Sequence, residues 1–451
     1  MTLLRPRSIA AALLGLLAWP AALLAQPTAA DPMAPRPPLA APTGIRPFPA
    51  PAQIGAREIM LEEAIAIALD NQPQIQARVA DYLAAKHRVA QALSPLLPQV
   101  SALWTAFRTR SALATLDSTR VFTNTGVSMT VSQLLFDFGK TWAARDAARA
   151  TSESVREEVE IAKDSIILDV KESYFTQLFA SRLVVVQAQA LDRAELNLRS
   201  ARGFFEVGTR PRFDVTRAEV DVANARVNLI RAQNAVSQAR ILLNTAMGIA
   251  IDSPTRIKDI LAYEAVTLDR ERLVTEALNR RPEYRQAKHK VEASTATVRQ
   301  AFRDFFPEVT GSGTVGAART EFNEVWSVGV QLSWSIFDGG DRLARHREAQ
   351  ANLEGNQARL RETELRIWQE VEQAHVAVVE SQERIEAAQK AVESAQENFR
   401  LSQGRFDAGV GTIIELTDAQ LALTQALNAE AEALSNYRIA VARLERAVGR
   451  R

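Results

Sequence analysis

Hydrophobic and polar residues alternate in two short stretches, and each stretch continues into a long helical pattern. In residues 325–340, every second side chain from Trp326 to Ile336 is apolar, with serine, glycine or glutamine between them. A period of two predicts a strand with one apolar and one polar face. Residues 127–139 show the same alternation and the same aromatic-Asp-x-Gly ending. The sequence therefore predicts two equivalent strand-to-helix junctions, at Asp137 and Gly139 and at Asp338 and Gly339, with Asp338 as a helix cap.

The duplication extends along the rest of the chain. Pro98 and Pro307 are 209 positions apart, whereas Gly208 and Gly409, like the two junction aspartates, are 201 positions apart. The spacing changes inside the hairpin, so the first hairpin is expected to have a loop eight residues longer, placed in the polar stretch 111–124. Each half is predicted to contain a helix, a hairpin, a very long helix, a turn and a further long helix.

The predicted boundaries follow from this repeat. The first repeat spans 57–248, with a hairpin at 98–136 and helices at 137–203 and 212–247. A linker at 249–266 leads to the second repeat at 267–451, with a hairpin at 307–337 and helices at 338–405 and 412–448.

The N-terminal residues have the pattern of an export signal. Arg5 and Arg7 precede an apolar run at 9–24, and small residues follow between Ala25 and Ala30. This pattern predicts a cleaved signal peptide at 1–25, with an uncleaved anchor helix as the alternative. Residues 26–56 are rich in proline and are predicted to form a disordered arm. Later residues contain no apolar run long enough for a membrane helix.

The four predicted strands are too few to close a membrane barrel, which needs about eight or more. Their edges would be unsatisfied in lipid, so the simplest closure is an oligomer that shares one barrel, and three copies would supply twelve strands. Helices of this length have no globular core to pack on and are expected to pack side by side as coiled coil. The predicted fold class is an α+β membrane protein, a β-barrel continued by a helical cylinder.

Four segments carry a resemblance to a known family. The junctions LLFDFG and IFDGG and the turns FFEVGTRPRFDV and FDAGVGTIIELTDAQ, in this duplicated order, resemble the TolC-type outer-membrane efflux channels over about residues 57–449. The resemblance implies a homotrimer with a twelve-stranded barrel in the lipid of the outer membrane and a long periplasmic α-helical barrel. It also implies export of drugs, metals or proteins together with a periplasmic adaptor (membrane fusion) protein and an inner-membrane RND or ABC pump, as in tripartite efflux or type I secretion.

The sequence contains little evidence for a catalytic, metal-binding or nucleotide-binding site. The four histidines lie apart on helical segments without metal-ligand spacing, and no glycine-rich phosphate loop follows a strand. The formal net charge of +1 does not favour nucleic-acid binding, and cysteine is absent, which excludes disulfides, cysteine zinc sites and a lipidated N-terminal cysteine. We expect no catalytic activity and no cofactor.

Acidic residues beside the second turn are candidates for a gate. Glu415 and Asp418 are three positions apart and share a helix face, so a trimer would direct six carboxylates toward its axis. Such a ring attracts cations and closes when basic residues oppose it. The resemblance implies that acidic residues at these two positions form the constriction at the periplasmic tip. Thr412-x-x-Glu415 is also a capping box, so Glu415 is a candidate for gate, helix cap or both.

The first turn supplies further candidates. Asp214 matches an acidic position of the family, whereas Gly411 stands where the family has a basic latch residue. Arg210 and Arg212 occupy the other turn. Our hypothesis is a reversed latch, in which Arg210 or Arg212 pairs with Glu415 or Asp418 across adjacent hairpins; the alternative is two exposed charges at the tip.

Two other groups have weaker signals. Trp334 and Phe337, beside the expected periplasmic boundary of the membrane, are candidates for an aromatic belt. The turn residues are candidates for adaptor contact: Gly208, Thr209, Gly409, Val410 and Gly411. A soluble periplasmic coiled-coil adaptor or scaffold is the main alternative function, and a nutrient porin is a third.

Overall fold

The computed structural model describes residues 58–113, 118–264, 269–318 and 323–451. The predicted signal peptide at 1–25, the predicted proline-rich arm at 26–56 and the last two residues of the predicted linker, 265–266, lie outside the described residues. The described helices are α1 (Leu61–Asn71), α2 (Pro73–Leu93), α3 (Lys140–Glu206), α4 (Arg212–Ala246), α5 (Arg270–Arg280), α6 (Pro282–Arg303), α7 (Asp341–Asp407) and α8 (Ile413–Val448). The strands are β1 (Glu58–Ile59), β2 (Gln99–Leu113), β3 (Ser118–Phe136), β4 (Arg256–Ile257), β5 (Glu308–Ala318) and β6 (Asn323–Ser333).

Four long strands form one antiparallel sheet in the order β2-β3-β5-β6, so β3 and β5 join the two repeats. The register places Trp104, Val127, Val315 and Trp326 on one face, which we call the apolar face, and all four are exposed. The opposite face, called the polar face, is lined largely by serine and threonine. On it the Thr130 and Thr314 hydroxyls lie 3.1 Å apart across β3 and β5.

The expected long loop of the first hairpin is wrong. Residues 111–113 and 118–124 belong to β2 and β3, whose strands contain 15 and 19 residues against 11 in each strand of the second hairpin. The added residues lengthen the paired strands instead of the turn, because residues 119–125 have a β-branched residue at every second position, which favours a strand.

Each hairpin leads into a helix of 67 residues, α3 or α7, which is about 100 Å long at the rise of an α-helix. Next to the sheet, α2 packs on α3, α3 on α6, and α6 on α7; farther away the order is α4, α3, α8 and α7. The helices thus pack side by side in a single layer rather than around a globular core. None of the described helices is long and apolar enough to cross a membrane.

Both long helices begin three residues later than predicted. Gly139 and Gly340 have positive φ and precede the first helical residue, while Asp137 and Asp338 cap from two positions earlier. Each aspartate accepts a backbone N–H from the residue two positions on, at 2.9 and 3.1 Å, and another from the residue four positions on, at 2.7 and 3.3 Å. The duplicated sequence therefore builds the same cap twice.

The apolar core lies midway along the long helices, where the short helices cover them. One cluster surrounds Val170 and Tyr174 against α1, and an equivalent cluster surrounds Val371 and Tyr437 against α5. The Tyr174 hydroxyl donates to the backbone carbonyl of Lys258 at 2.7 Å, beside the parallel pair β1 and β4. Residues of the predicted linker, including β4 and Lys258, therefore pack against the middle of the long helices.

Candidate functional site: the turns at the far end of the long helices

The α3–α4 and α7–α8 turns close with the same backbone geometry. Gly208 and Gly409 have φ values of 75° and 78°, a region that favours glycine. Thr209 and Val410 donate their backbone N–H groups back to the carbonyls of Phe204 and Arg405, at 2.9 and 3.0 Å. This bond from just beyond the glycine to the last helical turn ends both helices sharply and satisfies their free carbonyls.

Arg210 connects the two turns within one chain. Its Nη2 donates to the carbonyl oxygen of Gly411 at 2.8 Å and to that of Phe406 at 3.3 Å, both in the other turn. The guanidinium carbon also lies 4.3 Å from the centroid of the Phe406 ring, a cation–π distance. Asp214, one helical turn along α4, approaches the same guanidinium at 3.5 Å. We call Arg210, Asp214, Phe406 and Gly411 the tip cluster.

The tip cluster is buried by aromatic and aliphatic side chains. Phe406 is 1% exposed and packs edge-on against Phe204, with centroids 5.8 Å apart. Ile413 and Leu416 complete the apolar part. Burial in this setting excludes water from the ion pair between Arg210 and Asp214, whose side chains are only 13% and 9% exposed. The helix pairs α3–α4 and α7–α8 of one chain are therefore joined at the ends that lie farthest from the sheet.

Gly411 fits closely where it lies. A Cβ added there would stand 2.9 Å from Cβ of Arg405 and 3.0 Å from the backbone nitrogen of Phe406. A basic side chain at this position would not fit this turn. The cation beside position 411 is supplied instead by Arg210 from the other turn.

The remaining gate candidates point away from this cluster. Glu415 is exposed, its backbone N–H donates to the Thr412 hydroxyl at 3.1 Å, and its carboxylate lies 3.6 Å from Arg405. Asp418 is exposed, and within the described residues its side chain has no hydrogen bond or ion pair. Arg212 is also exposed. Within one chain, neither arginine contacts Glu415 or Asp418; Arg210 instead pairs with Asp214.

Trp334 and Phe337 follow β6 and do not belong to it, so the prediction of a hairpin reaching 337 is wrong. The Trp334 indole N–H donates to the carbonyl of Phe305 at 3.1 Å, just beyond the end of β6 at Ser333. Both side chains are exposed, at 56% and 86%. Sequence reasoning missed the neighbouring rings of Phe138 and Phe306, which stack with centroids 5.2 Å apart. The aromatic clustering around both junctions was the available signal.

Sequence reasoning also missed Phe204 and Phe406. The sequence feature that could have indicated them is an aromatic residue just before each turn glycine, Phe204 and Phe205 in the first repeat and Phe406 in the second. No group of three or more His, Asp or Glu side chains arranged to hold a metal occurs in the described ranges.

Comparison with known proteins identifies the family. The sequence matches the outer membrane efflux protein family over residues 64–249 and 273–450. It is 25% identical to the probable efflux pump outer membrane protein TtgC of Pseudomonas putida, covering 77% of this chain and 74% of that protein. It is also 25% identical to the alkaline protease secretion protein AprF of Pseudomonas aeruginosa, covering 84% and 82%.

The fold matches as well. The Campylobacter jejuni CmeC outer membrane channel superposes with a TM-score of 0.77 at 16% identity, covering 86% of this chain and 85% of that one. This likeness confirms the predicted fold class. Because both repeats are matched, the chain belongs to the outer membrane efflux protein family.

Proposed function

We propose that three copies of this chain form an outer-membrane exit duct that passively conducts substrates from the periplasm to the exterior. The observation that carries the proposal is the sheet with an exposed apolar face, which leads directly into two helices of 67 residues. An apolar outer face suits lipid, and a polar inner face suits a wet lumen. Nothing in this arrangement requires bond chemistry.

Assembly is supported by the free edges of the chain. β2 and β6 are the edge strands of the sheet, and α4 and α7 are the edge helices of the far half of the layer. Every copy thus offers one edge to the next in a head-to-tail ring, which closes without leaving an edge. Three copies supply twelve strands, the number expected from the family resemblance.

The two edge helices carry unpartnered apolar side chains. On α4, exposed apolar residues recur at intervals of seven at Phe213, Val220 and Val227, which is the spacing of a coiled coil. On α7, Leu365 and Val376 are 73% and 62% exposed. These stripes supply the helical contact between neighbouring copies, as edge pairing supplies the contact within the barrel.

The duct is closed at rest at the end formed by the turns. The tip cluster fixes the two helix pairs of each chain, α3–α4 and α7–α8, to one another. The exposed carboxylates of Asp418 and of Glu415, which also lies beside Arg405, would form a cation-attracting ring in the trimer. This revises the reversed latch: Arg210 acts through the Gly411 carbonyl and the Phe406 ring, while Asp214 balances its charge. Opening requires these contacts to loosen.

Contact with a periplasmic adaptor is supported by exposed apolar residues in both turns. Val207 and Val410 are 72% and 69% exposed. An adaptor that covered these two valines would bury apolar surface, which favours binding, at the place where the helix pairs must move for the duct to open. An inner-membrane pump of the RND or ABC type then supplies the substrate. Exported chains of this kind reach the outer membrane after removal of a signal peptide, for which residues 1–25 are the candidate.

The test is the assembly state and conductance of the purified full-length protein. We expect a mass of three copies in detergent and discrete current steps after addition to a planar bilayer. A monomeric protein that never inserts would overturn the proposal and favour the soluble scaffold. Trimers that insert without conducting would overturn the duct while leaving the fold unaffected.

A further inference from the structure

Among the described residues, the first hairpin extends beyond the part of the sheet that β5 and β6 cover. Residues 126–136 of β3 pair with described residues of β5, whereas residues 118–125 of β3 pair within the described ranges with β2 alone, up to the pair of Leu113 with Ser118. All four strands join the helices at their other ends, so this extension lies on the far side of the membrane from the helices. We call residues 106–113 and 118–125 the hairpin extension.

The side chains on the outward face of β2 change from apolar to basic where the extension begins. Val100, Ala102 and Trp104 lie on the apolar face, and continuing along that face the next outward positions are Ala106, Arg108 and Arg110. Both arginines are exposed. On the opposite face, Leu103 and Phe107 are 60% and 52% exposed. The outward face therefore passes from apolar to cationic, whereas the inward face mixes apolar and polar residues along its whole length.

The position of this change matches the thickness of a membrane. A membrane-spanning strand needs about 9–11 residues, so a span beginning at Gln99 ends close to Arg108. β5 and β6 contain 11 residues each, which is one such span. Trp104 would then lie near the middle of the span and Arg108 at its outer end, with the two arginine positions about 13–20 Å beyond Trp104 along the strand.

Resting on the proposed function, we infer that Arg108 and Arg110 bind phosphate groups of outer-leaflet lipids. Side chains two residues apart on one face of a strand lie about 7 Å from each other, so the two long arginine side chains can each reach a phosphate of the same headgroup. Arginine binds phosphate through paired, charge-assisted hydrogen bonds. Thr123, the register partner of Arg108, adds a hydroxyl on the same face. The partner is thus a lipid that carries more than one phosphate.

The experiment measures lipid binding by the purified trimer. Lipid A with both phosphates, lipid A from which they have been removed, phosphatidylglycerol and inorganic phosphate are titrated while bound lipid is counted by native mass spectrometry. The variant is R108Q/R110Q, and the control is R272Q, which removes an 86% exposed arginine in α5 far from the sheet. R108K/R110K keeps the charge but not the paired hydrogen bonds.

We expect the double glutamine variant to bind phosphorylated lipid A roughly thirtyfold more weakly, because a basic residue near a membrane surface contributes about a factor of five. The control should bind like the wild type, and dephosphorylated lipid A and inorganic phosphate should bind weakly to all. Equal binding of phosphorylated lipid A by variant and wild type would overturn the inference, as would equal binding of both lipid A forms. Because conductance is recorded on the same samples, conducting variants with unchanged lipid binding refute this inference alone, whereas wild-type protein that does not conduct refutes the duct.

Discussion

The guanidinium of Arg210 lies 4.3 Å from the ring centroid of Phe406, although the two residues are 196 positions apart and belong to different helix pairs. With the hydrogen bond to the Gly411 carbonyl, this contact makes one mechanical unit of the two turns. In the proposed gate, two turns joined in this way would move together between two states rather than as separate helix ends.

Replacing Arg210 should loosen that unit. In R210Q, the ring contact and the charge opposite Asp214 are lost, and a buried carboxylate is left without its cation. We expect a larger mean conductance, longer open times and faster uptake of a bulky antibiotic by cells that carry the variant. Single-channel recording and antibiotic sensitivity measure these effects.

The matched control is R212Q, which removes an exposed arginine two residues away. It should have the single-channel conductance of the wild type, and cells that carry it should have the same antibiotic sensitivity. If R210Q and R212Q behave alike, the tip cluster does not hold the gate.

Gly411 should tolerate no side chain. In G411A the new methyl group would meet Arg405 and displace the carbonyl that accepts from Arg210, whereas a Cβ at Gly404 in α7 meets nothing within 4 Å. We expect G411A to lower the melting temperature of the purified protein by several degrees. G404A should leave it unchanged or raise it, since alanine stabilises a helix interior by about 0.5–1 kcal/mol relative to glycine. A G411A protein as stable as G404A would contradict this packing.

The two faces of β6 should respond oppositely to charge. Val330 lies on the apolar face and is 71% exposed, and its neighbour Gln331 lies on the polar face. Arginine on a lipid-facing strand near the middle of the membrane costs about 2–4 kcal/mol. We expect V330R to assemble poorly in outer membranes and Q331R to assemble normally, as measured by the heat-resistant trimer on gels. Equal assembly would show that the apolar face is not in lipid.

A buried ion pair in the middle of the layer predicts acid sensitivity. Arg281 is 3% exposed and binds Glu283 at 2.9 Å and also Glu370. Burial raises the pKa of the Glu283 carboxyl, but its bonds to Arg281 outweigh that effect, and the net pKa lies below the ordinary glutamate value. This contribution to stability is full above the unfolded pKa of about 4.3 and is lost as the pH falls through the lower folded value.

E283Q should therefore destabilise the protein at pH 7, by about 1–3 kcal/mol because Glu370 still faces Arg281. The difference in melting temperature between E283Q and the wild type should shrink between pH 5 and the folded pKa. E393Q is the control on an exposed pair, with Lys390, for which we expect little effect at neutral pH. A gap that stays constant down to acid pH would contradict the assignment.

Alternation and duplication made much of the fold predictable, because each strand must show one face to lipid and one to water. The same rule misassigned residues 111–124, since their many polar residues do not form the apolar face by which a strand is recognised in the sequence. The end of β6 was misplaced because Trp334 continues the alternation while its indole bonds to Phe305. Sequence periodicity reports which positions suit a strand and not where pairing stops.

The site was less predictable than the fold. The turn residues were found through their glycines, yet the partners of Arg210 come from a turn 196 or more positions away. No local pattern tells which turn a long side chain will reach. The closeness of Gly411 to Arg405 likewise depends on backbone approach, which residue types alone do not encode.

The most direct test of the account compares single-channel currents of the wild type with those of E415A/D418A in the same planar bilayers. A duct closed at its far end by carboxylates should show small, cation-selective steps that enlarge and lose selectivity in the variant. Steps of unchanged size and selectivity would contradict an acidic gate at these residues.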